Sequence, residues 1–72
     1  MRVYTSIHSD DFVLDLNEHA ENGVIALVDA VACVRRHPKI ISDEHTPLDV
    51  LKAFELSGAL TVNTREGIVF VS

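Results

Sequence analysis

Between residues 10 and 36 the larger apolar side chains, Val13, Leu16, Val24, Leu27, Val31 and Val34, fall on one stripe at 100° per residue, with Ala20 and Ala30 between them. The phase holds for the whole stretch. Ser9 can cap such a helix by accepting a free backbone N–H, and Asp10, Asp11, Asp15, Glu18 and Glu21 put negative charge where the helix dipole favours it. Arg35 and Arg36 stand at the opposite end, and Pro38 stops the helix by lacking an N–H and restricting His37. One pair interrupts the pattern: Asn22-Gly23 is a sequence that often closes a helix in the left-handed conformation. A break there would normally reset the phase of the stripe. No reset is visible, so the pattern predicts one long helix bent at Gly23, with two helices divided at Gly23 as the alternative.

The remaining elements are read from local signals. Residues 2–8 alternate, Val3, Thr5 and Ile7 against Arg2, Tyr4, Ser6 and His8, which predicts a strand. The connection 38–45 carries Ile40 and Ile41, expected to anchor it or to form a short edge strand. Thr46-Pro47-Leu48-Asp49 has a capping hydroxyl, a proline at the first helical position and a carboxylate at the third. A helix over 47–57 follows, its apolar face Val50, Leu51 and Phe54 with Ala53 at the margin, and Gly58 ends it. Strands over 59–63 and 68–72 pair around 64–67 with Gly67 in a bulge position. That register sets Val62 opposite Phe70 and Thr64 opposite Ile68, so that Leu60, Val62, Ile68 and Phe70 share a face. The result is one small α+β domain over 1–72, with an antiparallel sheet, its N-terminal strand beside the hairpin, packed on helices. With a break at Gly23 the order becomes three helices followed by a hairpin. That order resembles a winged-helix domain, with the last helix over 47–57 and the wing tip over 64–67.

A chain of 72 residues hides only about 60% of its unfolded surface. Yet 47% of its residues are hydrophobic, an apolar surplus that makes a homodimer an expectation. The single cysteine, Cys33, excludes an intrachain disulfide. Residues 1–8 lack an apolar leader core, and the longest uncharged apolar run, 23–28, is far too short to cross a bilayer. These features predict a soluble cytoplasmic protein. A net charge of −5 argues against nonspecific binding to nucleic acid or anionic membrane, and permits a basic partner.

Three groups of residues are candidates for function. Asp11, Leu14, Asp15, Glu18 and Glu21 form an acidic face with an apolar anchor, suited to a basic or nucleic-acid-handling protein partner, although the helix dipole alone accounts for its charge. Ala26, Ala30 and Cys33 form a small-residue face that admits a second helix closely, from the same chain or from a symmetry mate. The histidines, His8, His19, His37 and His45, match no metal motif; Cys33 and His37 at i, i+4 make only a half-site, so no metal or cofactor is expected. There is no nucleophile elbow, phosphate loop or glycine-rich fingerprint, and a non-enzyme is expected.

The leading expectation is a protein–protein interaction module that regulates or inhibits a larger partner by occluding its surface. In size, acidity and lack of catalytic motifs the chain is similar to the small inhibitors that phages direct against host systems, anti-CRISPR proteins among them. That likeness is one of kind and carries no residues over. The alternative is a winged-helix DNA-binding transcriptional regulator, with Arg35, Arg36 and Lys39 as a phosphate-binding group and Arg65 at the wing tip. Against it, the outer side of the 47–57 helix offers Asp49, Lys52 and Glu55, a single cation between two carboxylates.

Overall fold

Asn22 and Gly23 both adopt left-handed backbone, at φ 54° and 78°, and the expected long helix is divided there. The computed structural model describes residues 7–41 and 44–71. Helix α1 spans Ile7–His19, strand β1 Val24–Ala26 and helix α2 Leu27–Arg35. A single 3-10 turn, Pro38–Ile40, leads to helix α3, Pro47–Leu56, and the chain closes with β2, Leu60–Asn63, and β3, Ile68–Val71. The class is α+β, with a three-stranded antiparallel sheet in the order β1-β3-β2.

The long helix is lost because three of its residues find a better place on the sheet. Val24, Ile25 and Ala26 pair with Phe70, Val69 and Ile68 of β3. Two further hydrogen bonds clamp the ends of this short strand. Val71 N donates to Gly23 O and Leu27 N donates to Gly67 O, both at 2.7 Å. The second bond serves the N-terminus of α2, where Ala26 has no side chain to cap it. The apolar stripe survives the break because α1 and α2 each turn a face to the same core. The faces differ from the expected one. Phe12 and Leu16 in α1 and Ala30, Cys33 and Val34 in α2 are fully buried, whereas Val13 and Val31 only flank them.

β1 thus supplies the third strand of the sheet. Of the N-terminal strand expected over 2–8, residues 2–6 lie outside the described residues, while Ile7 and His8 open α1. Ser9 is therefore a buried residue within the first turns of α1 and not its N-cap.

The hairpin forms with a register one residue from the expected one. Asn63 stands opposite Ile68, Val62 opposite Val69 and Thr61 opposite Phe70. The loop 64–67 is closed by Asn63, whose Oδ1 accepts a hydrogen bond from Glu66 N at 3.0 Å. Because strand side chains alternate, this shift exchanges the faces of β3. Val69 is fully buried beside Ile25 and Leu60, and Phe70 turns outward, 43% exposed. The outer face of the sheet then carries Val24, Ala26, Ile68 and Phe70.

α3 follows its sequence signals. Thr46 Oγ1 accepts from Asp49 N at 3.2 Å and Asp49 Oδ2 accepts from Thr46 N at 3.1 Å, the reciprocal capping box. Gly58, at φ 86°, takes the left-handed position just past the helix end. Val50, Leu51 and Phe54 are buried, and Ile40 anchors the connection from α2. Phe12 links these parts: its ring lies 5.0 Å from that of Phe54 and meets the His37 ring edge-on at 5.8 Å.

Gly23 gives a test with opposite signs for the two architectures. In a continuous helix Gly23→Ala would stabilise by about 1 kcal/mol. Here the new Cβ is forced into left-handed backbone and meets the Val71 carbonyl oxygen at 3.4 Å. The expected outcome is a loss of about 1–2 kcal/mol, read as a fall of about 5 to 15 °C in the thermal midpoint.

Candidate functional site

The break at Gly23 folds α2 back against α1, and one carboxylate fastens the seam. Asp15 is half-buried on α1 and faces the C-terminal end of α2, where the helix dipole already favours the cations Arg35 and Arg36. Arg36 Nε and Nη2 each lie 3.2 Å from Asp15 Oδ2, and His37 Nε2 lies 2.9 Å from the same oxygen. On the other side, His19 Nδ1 is 3.1 Å from Asp15 Oδ1 and 2.9 Å from the Asp15 carbonyl oxygen. Arg36 Nη2 also reaches Cys33 Sγ, at 2.9 Å.

These contacts set the charge states. Burial acts to raise the Asp15 carboxyl, but hydrogen bonds from His37 and Arg36, with the positive charge of Arg36 and His19, outweigh it and hold the group below its ordinary value of 3.8. Burial pushes the Cys33 thiol up, and Arg36 offsets only part of that effect. The thiol is thus a neutral, buried group in this state.

The five residues of the expected acidic face divide. Asp11, Leu14 and Glu18 remain exposed on α1, with Leu14 63% exposed. Asp15 is turned into the seam and is not a free docking charge. Glu21 lies past the end of α1, where its backbone bonds reciprocally with Val24 at 2.8 and 3.0 Å. The small-residue group also divides. Ala30 and Cys33 are fully buried within the chain and present no surface to a symmetry mate, while Ala26 sits in β1 on the outer sheet face.

Of the basic group, Arg35 and Lys39 are exposed and Arg36 is tied to Asp15 and Cys33. Arg65 is exposed in the loop between β2 and β3. An open groove of about 240 Å³ lies beside the seam, lined by Asp11, Arg36, His37, Pro38 and Lys39. The outer side of α3 shows Asp49, Lys52 and Leu56, the last 90% exposed. Glu55 is engaged: its Oε2 accepts from Val62 N of edge strand β2 at 3.0 Å.

The seam itself is absent from the sequence reading, which took Asp15 only as part of a charged face. A signal was present. Asp15 and His19, like Cys33 and His37, are pairs at i, i+4, a spacing that places both members on one side of a helix.

No protein-family model, curated protein or solved structure matches this chain. Among the described residues no helix is long and apolar enough to cross a membrane.

The lowered Asp15 carboxyl has a pH signature with a definite sign. A group whose folded pKa lies below its unfolded one contributes stability above the unfolded value and loses it as pH falls through the folded one. Asp15→Asn should therefore lower the free energy of unfolding at pH 7, read by urea denaturation, by about 1 kcal/mol for a pair partly open to solvent. Near pH 2 the gap from the native chain should close. An equal loss at both pH values would show that Asp15 acts through shape and not through charge.

Proposed function

We propose that this chain is a non-enzymatic protein-binding module that docks through the outward face of α1 and occludes a surface of a larger, basic partner in the cytoplasm, in the manner of the small phage inhibitors. The observation behind this reading is Leu14. A leucine 63% exposed in mid-helix has no role in the chain's own core, and Asp11 three residues before it and Glu18 four after it stand on the same side of α1. An apolar anchor with a charged rim is the usual anatomy of an interface hot spot. Asp15, which the same helix directs inward, is excluded from this surface by its bonds to Arg36 and His37. Self-association belongs to the same reading and is assigned to the outer sheet face around Phe70.

A second reading has a specific observation in its favour. The order α1, β1, α2, α3, β2, β3 resembles a winged-helix domain, with α3 in the place of the recognition helix and Arg65 at the tip of the wing. A DNA-binding regulator on this scaffold would face phosphates with α3. The outer side of α3 offers Asp49, Lys52 and a bare Leu56 there, which suits protein better than a polyanion.

One set of variants separates the readings. The protein is used as bait in a cell lysate, beside binding to a random DNA duplex at two salt concentrations. Capture of a specific protein should be lost in Leu14→Arg and in Asp11→Lys with Glu18→Lys, and kept in Arg35→Ala with Arg65→Ala. Salt-sensitive duplex binding abolished by the arginine pair, with the α1 variants unaffected, would reverse the order of the two readings. Light scattering of the free protein and of Phe70→Ser reads the self-association: a dimer that the variant turns into a monomer supports the sheet face, and a native monomer removes that part.

A further inference from the structure

At the seam Asp15 and His19, an i, i+4 pair on α1, meet Cys33 of α2 and His37 just past the end of α2. One donor atom each from Asp15, His19 and Cys33 lies within 4.8 Å of the other two. His37 Nε2 touches the same carboxylate at 2.9 Å. We propose that this cluster is a binding site for one divalent cation of the zinc type, ligated by Asp15, His19 and Cys33, with the fourth tetrahedral position taken by solvent. This inference is independent of the docking surface on α1.

The donor chemistry selects the ion. Mixed carboxylate, imidazole and thiolate donors suit zinc and its borderline-soft neighbours, whereas calcium and magnesium take oxygen throughout. Ligand bonds of about 2.0 to 2.3 Å put tetrahedral donors roughly 3.3 to 3.7 Å apart. The present spread therefore requires a contraction of about 1 Å, within reach of side-chain rotation. Charge balances as well. On binding, Cys33 S–H releases its proton to solvent, and the thiolate with the Asp15 carboxylate neutralises the two positive charges of the metal.

The Arg36 guanidinium already lies against two of these donors. Its Nη2 lies 2.9 Å from Cys33 Sγ and 3.2 Å from Asp15 Oδ2, so one guanidinium bridges two of the proposed ligands. It is not trapped there. The side chain is 47% exposed and can leave toward solvent when a metal enters. Oxygen and sulfur atoms that gather a cationic side chain in this way are already arranged around positive charge.

The test uses the full chain, reduced and stripped of metal, titrated with Co2+ as a spectroscopic probe. One equivalent should give the visible bands of tetrahedral cobalt with a thiolate charge-transfer band, and Zn2+ should displace it. Zn2+ should also raise the thermal midpoint, reversibly on adding a chelator. Cys33→Ser should abolish the charge-transfer band. Because Cys33 is fully buried and its variant can fail to fold, His19→Ala is the deciding change: the ring is 52% exposed, and its loss should weaken Zn2+ binding by about tenfold or more. Absence of the cobalt bands at one equivalent, or unchanged Zn2+ affinity in folded His19→Ala, would overturn the proposal.

Discussion

Everything in this fold depends on the chain reversing at Asn22-Gly23 and laying Val24–Ala26 against β3. The reversal costs left-handed backbone at two successive residues, one of them not glycine. It is repaid by the ladder to β3 and by the bonds from Val71 N to Gly23 O and from Leu27 N to Gly67 O. Those bonds tie the two halves of the chain together, since residues 23 to 27 meet residues 67 to 71. With β1 in place, β3 is the central strand, paired on both sides, and Val69 at its middle is fully covered. Only then can α2 run back toward α1 and bring Arg36 and His37 to Asp15.

Signals confined to a few adjacent residues were legible in the sequence. The Thr46–Asp49 box, Gly58 and the Val50, Leu51 and Phe54 face of α3 needed no knowledge of the rest of the chain. The α+β class and the hairpin followed from the same kind of signal. What escaped were decisions made by tertiary pairing. A three-residue strand has no period to detect, and Val24, Ile25 and Ala26 read as well on a helix as on a sheet edge. The hairpin register turned on one side chain: Asn63 closes the loop on Glu66 N, and every residue of β3 changes face as a result. Phe12, centre of the core between Phe54 and His37, fell off the stripe because the stripe was drawn for a helix that does not exist.

The acidic face was legible as composition and only partly as a site. Carboxylates at the start of a helix satisfy its dipole whether or not they touch anything else, so the sequence alone assigns all four of this face the same role. The fold gives them different ones. Asp11 and Glu18 stay in water around Leu14, Glu21 leaves the helix, and Asp15 becomes the point where one helix is fastened to another.

Asp15 also bears on how positive the neighbouring edge can be. With Arg36 bound to Asp15 and a neutral Cys33 beside them, the seam sums to zero charge, and Arg35 and Lys39 are exposed cations near it in the chain. A divalent ion in place of the guanidinium would be balanced by the Asp15 carboxylate and a Cys33 thiolate, so the seam would stay neutral while the charge of Arg36 moves outward. Arg36, displaced into solvent, would then stand with Lys39 on the lining of the groove beside the seam. A further free cation there would strengthen contact with phosphates, since each neutralised phosphate steepens the salt dependence of binding. In the proposed metal site, occupancy would thus be linked to whether the charge of Arg36 is held by Asp15 or offered to solvent. The link works in both directions: whatever draws Arg36 away from Asp15 also clears the donors that a metal needs.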